Sequence, residues 1–298
     1  MIWLLLALLA AFFTSMTTIL AKIGIKDVNS NFATFFRTII VILCSVILCF
    51  ITGAFQDFYK LTFTNWIFLI LSGISTGLSW ICYYQALKLG NINKVAPIDK
   101  SSFILTTILF IIFFFDTTTN NGDILTIVFL IISMVLMLIG TLLMVGKTSD
   151  NEIKSKRWLI FAILSSVFAS FVSLFVKLGL NGISSNLGTL IRTIIVLIFS
   201  GFIVLIRKDY VGVKNVNKKS WLFLILSGLS TGGAWLCEYA SLNIDGVNPV
   251  AVSSIGKLSI LLTMLFSFIF LKEKFNKKSI VGLSLLTLGI ILIIVFSL

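Results

Sequence analysis

The chain has 298 residues, of which 58% are hydrophobic, 13% aromatic and only 11% charged, with a formal net charge of +12 and no histidine. A soluble chain carries about a quarter charged residues and roughly 45–50% apolar ones; with charge this sparse, no water-soluble fold would cover the apolar surface left over. A cytosolic enzyme, a nucleic-acid binder and a secreted domain are thereby excluded, and the chain reads as an all-α integral membrane protein.

In chain order, apolar runs bounded by polar turns predict ten transmembrane helices, at 2–21, 31–51, 65–88, 93–115, 123–146, 157–178, 186–206, 220–243, 248–271 and 277–297. These lengths match the roughly 20 residues that cross a hydrocarbon core. The first run starts Met1-Ile2-Trp3 without a basic leader region and is expected to stay as a span. The breaks carry turn chemistry, as in Lys26-Asp27-Val28-Asn29-Ser30 and Asn120-Asn121-Gly122-Asp123. Most connections are short, so consecutive helices are expected to be antiparallel neighbours. The cysteines, Cys44, Cys49, Cys82 and Cys237, sit singly in apolar runs and read as small buried hydrophobes. Without histidine the commonest zinc ligand and general base are missing, so neither metal nor cofactor is expected. In a membrane chain the basic balance points to cytoplasmic loops, and no nucleic-acid partner is expected.

The chain also repeats itself. At a shift of 155, residues 30–41 overlay 185–196 with eight of twelve positions identical, and 66–84 overlay 221–239 with thirteen of nineteen identical. Two five-helix units follow, 1–146 and 157–298, joined by a polar linker over 147–156 that is expected to be cytoplasmic. Five is odd, so the second unit is expected to enter the membrane from the opposite side. With the N-terminus outside, seventeen loop cations fall in the cytoplasm and only Lys60 and Lys177 outside, the asymmetry of the positive-inside rule. Two inverted five-helix repeats, both termini on the outer side of a multi-pass cell-membrane protein, are the fold expected here. Such repeats suit alternating access about a central site, and one chain holding both makes a monomer sufficient.

Two segments carry a resemblance. Trp80-Ile81-Cys82-Tyr83-Tyr84-Gln85-Ala86-Leu87-Lys88-Leu89-Gly90 runs into Val95-Ala96-Pro97-Ile98-Asp99-Lys100, and Phe270-Leu271-Lys272-Glu273-Lys274 precedes Val281-Gly282 and Leu288-Gly289. In these the chain resembles the drug/metabolite transporter superfamily, in its ten-helix EamA-like branch, across both halves. Lys272 stands where that family usually has Gly, and Asp116 where it has Glu. The resemblance implies export or uptake of small metabolites such as amino acids, sugars, nucleotide sugars or amines.

Ionisable residues inside a span are costly and are candidates for function. Arg37 and Asp99 lie toward the cytoplasmic side, Arg192 and Glu238 toward the outer side; two ion pairs, Arg37 with Asp99 and Arg192 with Glu238, are expected to gate the two faces. Pinning helices together is an equally good reading of both pairs. Glu238 stands where the first copy has Tyr83, so it breaks the repeat beside Trp235 and Tyr239; a carboxylate in apolar surroundings can carry a proton or bind an amine. Lys100 and Lys257 are equivalents that either snorkel to an interface or bind a substrate carboxylate. Trp80, Tyr84, Trp235 and Tyr239 are candidates to line the site by apolar or cation–π contact. The third and eighth helices read as tightly packed cavity walls: the Gly73/Gly77 and Gly228/Gly232 pairs are close-packing positions, and Ser72, Ser75 and Thr76, with Ser227, Ser230 and Thr231 in the second copy, add hydroxyls. Pro97 and Pro249 fall in first helical turns, where proline is tolerated.

The sequence thus points to a secondary transporter of a small polar or zwitterionic metabolite, amino-acid-like or amine, with proton or cation coupling open. A passive channel is the alternative, and a membrane-embedded enzyme a weaker one. No phosphate-cradling glycine-rich loop is present, which argues against ATP-driven pumping.

Overall fold

A computed structural model describes residues 2–24, 28–89, 95, 98–99, 101–144, 157–211, 213, 216–271 and 277–297. The expected linker over 147–156, Pro97, Lys100 and the Lys272–Lys274 turn lie outside the described residues, as does the side chain of Tyr84.

Every regular element among the described residues is helical. The first half comprises α1 (Ile2–Gly24), α2 (Ser30–Thr52), a 3₁₀ turn (Ala54–Lys60), α3 (Phe63–Leu89), α4 (Ser102–Phe113), the short α5 (Phe115–Thr119) and α6 (Ile124–Met144). The second comprises α7 (Arg157–Gly179), α8 (Ser185–Arg207), α9 (Lys218–Leu242), α10 (Pro249–Gly256), α11 (Leu258–Leu271) and α12 (Lys277–Ser297). Among the described residues eight segments are long and apolar enough to cross a membrane, one of them running through α10 and α11; Ser102–Phe113 and Ile280–Phe296 are shorter apolar helices.

The boundaries have local causes. Asn29, Ser184, Asn217 and Asn248 each cap a helix by accepting the N–H two residues on, which satisfies a donor the helix leaves orphaned. Pro249 follows Asn248 in the first turn of α10. The ninth segment, expected as one helix over 248–271, is divided. The Lys257 N–H turns back to the Ser254 carbonyl at 2.9 Å, a three-residue closure that ends the regular ladder.

Polarity is inverted relative to a soluble protein. Ile47, Phe50, Ile131, Leu142, Ile198 and Phe202 face outward, whereas small hydroxyl residues fill the interior, including Ser45, Ser72, Ser165, Thr189 and Thr193. Many of those hydroxyls donate to a carbonyl one turn back, as Ser45 does to Val41 at 2.9 Å and Thr193 to Thr189 at 2.6 Å, so a polar group is buried without an open valence.

The halves interlock. α1 packs on α9, and its counterpart α7 on α3; α2 meets α8, and α6 meets α12. The start of α8 touches the end of α2 (Asn186 Nδ2 to Thr52 Oγ1, 3.1 Å), and the start of α2 touches the residue just beyond α8 (Asn31 Nδ2 to Asp209 Oδ2, 2.6 Å). α2 and α8 are therefore antiparallel. So are α6 and α12: a methyl at Gly140 would come within 2.5 Å of the Gly282 carbonyl, one at Gly289 within 2.7 Å of Met137, and Phe129 stacks on Phe296. The glycine pairs of α3 and α9 are packing sites. A methyl at Gly73 would meet Ile195 at 2.7 Å, and one at Gly228 would meet Ile40 at 2.8 Å.

Candidate functional site

Between the halves lies a cavity of about 200 Å³. Arg37, Thr34 and Thr38 face it from α2, Thr14 and Thr17 from α1, Trp80 from α3, and Thr231 and Trp235 from α9. Thr34 and Trp80 also wall a narrow crevice that reaches Asn31 and Arg207, so the cavity leads toward the end of the molecule where α2 begins and α8 finishes. A threonine recurs every three or four residues on α1 and α2, on the face that also presents Arg37. That periodic hydroxyl stripe is visible in the sequence but was not among the candidates.

The arginines sit in repeat-related settings with unequal exposure. Arg37 Nη2 donates to Thr231 Oγ1 at 2.7 Å, and Arg192 Nη2 donates to Thr76 Oγ1 at 2.7 Å. Each guanidinium thus crosses to the equivalent threonine of the other half, since both Arg37/Arg192 and Thr76/Thr231 are 155 apart. Arg37 is half-buried and faces the cavity, whereas Arg192 is 2% exposed. The Arg192 Cζ lies 4.5 Å from the Trp235 ring centroid and 5.2 Å from that of Tyr239, within cation–π range. Its Nε and Nη1 have no hydrogen-bond partner among the described residues.

Neither expected ion pair is made among the described residues. Asp99 Oδ1 instead accepts the Ser165 hydroxyl of α7 at 2.6 Å, while Ser165 and Ser79 also bond each other's backbone. Asp99 therefore belongs to the α3–α7 seam, whereas Arg37 faces α9. Arg192 meets Trp235 and Tyr239, which are four residues apart and share a helix face. Glu238 is half-buried and points about 100° round α9 from Tyr239, because successive helical residues diverge by that angle. Trp80, Trp235 and Arg37 line the cavity, and Arg192, against the rings of Trp235 and the buried Tyr239, lies beside it. Lys257 is half-buried at the α10–α11 break. No group of three or more Cys, Asp or Glu side chains converges to hold a metal among the described residues, and the four cysteines are free thiols.

Acids latch both ends of the α2–α8 contact. Asp57 accepts the Ser184 N–H at 2.8 Å and pairs with Lys60 at 2.8 Å. The Lys60 hydrogen bond, with the Ser184 N–H adding to it, holds its carboxyl below the usual carboxylate range. Asp209 accepts from the side chains of Asn29 and Asn31 at 2.7 and 2.6 Å. In each case an acid beyond the second helix of one half holds the start of the second helix of the other.

The EamA-like transporter family matches this chain twice, over residues 1–139 and again over 156–295. The chain belongs to the EamA-like transporter family. A relative from Sinorhizobium sp., named as an uncharacterized transporter in the cobO 3' region, is 41% identical over 103 residues, which span 35% of this chain and 73% of the relative. A solved crystal structure superposes with a TM-score of 0.73 at 14% identity, covering 97% of this chain and 95% of its own; that likeness speaks for a shared fold. As an EamA-family protein the chain is a membrane transporter, with small molecules as its cargo.

Proposed function

We propose that this EamA-family protein is a secondary transporter that moves a small polar or zwitterionic metabolite, amino-acid-like or amine, across the cytoplasmic membrane by alternating access. One observation carries the reading. Two arginines related by the repeat occupy related settings, yet Arg37 faces a cavity and Arg192 is sealed beneath Trp235 and Tyr239. A carrier caught facing one compartment has this unequal pair, and exchanging the two environments yields the opposite-facing state at similar free energy. The cavity is below the roughly 300–1,000 Å³ of pockets for drug-sized ligands, in keeping with a small metabolite.

The antiparallel α2/α8 and α6/α12 contacts support inverted repeats, 1–146 and 157–298, and ten spans follow if the two shorter apolar helices, of the fourth and tenth segments, cross along with the eight. Arg157, Arg207, Lys208, Lys218, Lys219, Lys277 and Lys278 stand at the end toward which the cavity leads, against Lys60 and Lys177 near the other. By the positive-inside rule the basic end is cytoplasmic, the cavity faces inward, and both termini lie outside. Trp80 and Trp235 are read as substrate-binding, together with Tyr84, Tyr239, Lys100, Lys257 and Glu238; Arg37, Asp99, Arg192 and Glu238 are read as gating.

Counterflow tests the proposal. Vesicles containing the protein and preloaded with an unlabelled pool of amino acids and amines should transiently accumulate the labelled pool above equilibrium. Equilibration without overshoot, at rates far above carrier turnover and insensitive to Glu238→Gln, would make the protein a channel.

A further inference from the structure

We propose that Arg192 is the anion-binding group of the outward-facing state, and that the substrate carries a carboxylate handed between Arg37 and Arg192. This rests on the carrier reading above and narrows its substrate to molecules with an anionic group.

Arg192 lies in the membrane-spanning interior at 2% exposure, yet among the described residues no acid forms an ion pair with it. A buried arginine serving only as a strut would have its planar set of donors satisfied. Here one nitrogen is bonded, to Thr76, while Nε and Nη1 are not. The faces of Trp235 and Tyr239 attract the cation without cancelling its charge. The cage holds the guanidinium pre-oriented. Thr76 takes one N–H of Nη2, and the other N–H of Nη2 runs parallel to an unpartnered N–H of Nε or of Nη1, so one edge with two parallel donors stays open, the geometry that grips a carboxylate.

The repeat indicates when that edge opens. Arg37, tethered to Thr231 as Arg192 is to Thr76, already lines the cavity. When the environments exchange, Arg192 takes the exposed position and Arg37 the caged one, so each access state presents one arginine to one compartment. Trp235 lies between them, its ring against Arg192 and its edge on the cavity, and moving it uncovers Arg192. Hydroxyls of Thr14, Thr34 and Thr38 and the ring of Trp80 fit the polar and apolar remainder of a small organic acid.

Exchange of radiolabelled mandelate by the full-length protein, held in vesicles at one orientation, tests this. Mandelamide and 2-amino-1-phenylethanol serve as neutral and cationic matches of the same body. Mandelate should exchange roughly tenfold faster than either match, the discrimination a lost charge-assisted hydrogen bond gives. Arg37→Gln should raise the half-saturating concentration about tenfold from the basic end alone, and Arg192→Gln should do so from the opposite end alone. Arg192→Lys keeps the charge without the planar fork and should show the same sidedness with a smaller shift, which preserves the test if the glutamine variant does not fold. Preference for the amide or amine, no mandelate exchange by the unaltered protein, or equal shifts on both sides would overturn the proposal. Counterflow of the amino acid and amine pool without mandelate exchange sinks this inference and leaves the carrier reading standing; absence of all counterflow sinks both.

Discussion

Thr76 and Thr231 decide where the two arginines point, and their settings make them unequal. Thr76 gives the caged Arg192 its single hydrogen bond, so Thr76→Val should cost about 1.5–3 kcal/mol, the range for hydrogen bonds to charged groups. Thr231→Val should cost clearly less, because Arg37 is half-buried beside a cavity that water can fill. Thermal unfolding in detergent reads both, and equal losses would contradict the asymmetry. At the latch, Asp57 is held below the usual carboxylate range by Lys60 and the Ser184 N–H. A depressed folded pKa adds stability above the ordinary carboxylate pKa of about 3.9 and loses it as pH falls through the folded value. Asp57→Asn should therefore lower the melting temperature slightly at pH 7 and flatten the acid-side decline below about pH 4; exposure at the turn keeps the effect small. The arginines stood out in the sequence as charges inside spans. Thr76 and Thr231 stood out only as hydroxyls on the third and eighth expected helices; the pairing did not, because a threonine among many carries no mark of which guanidinium it will meet.

At the scale of elements, close approach of helices depends on single glycines. A methyl at Gly140 would meet backbone atoms of α12, the Gly282 carbonyl at 2.5 Å and the Leu286 nitrogen at 2.7 Å. Neither can rotate aside, so Gly140→Ala should destabilise by about 1–3 kcal/mol through overpacking. At Gly256 nothing lies within 4 Å of an added methyl, so Gly256→Ala should be neutral or stabilising by about 0.5–1 kcal/mol. Denaturant or thermal melts of the pair check the contrast. The same scale shows where sequence reading stops. Apolar periodicity placed the helices and Asn248-Pro249 announced a helix start, but the division at Lys257 was not legible: hydropathy averages over a turn and is blind to one carbonyl changing its partner.

For the whole molecule, the sidedness of charge makes a further prediction. Lys60 lies in the turn after α2, and Lys208 lies just past α8 at the other end. With both placed as cysteines in a background lacking the four native thiols, an impermeant thiol reagent applied to intact cells should label Lys60→Cys and leave Lys208→Cys untouched; inverted vesicles should reverse this. Labelling of both from one side would end the inverted-repeat reading. The interlocked packing, with α1 on α9 and α7 on α3, also means that neither half buries its own third helix alone. Separately expressed halves should fail to fold singly and regain a common melting transition only when co-expressed.

Class, membrane residence, duplication and family were determined by the sequence alone, because each is written in composition or spacing: too few charges for water, apolar runs of bilayer length, and the same residues returning 155 positions later. Only the tertiary structure decided which polar groups meet. Arg37 and Arg192 sought threonines of the opposite half rather than the expected acids, and Asp99 settled against Ser165, because helix packing fixes which faces touch and a charge can bond only what its face presents. The unequal fates of two equivalent arginines were likewise beyond the sequence, since the repeat makes them alike and the conformation of the pair sets them apart.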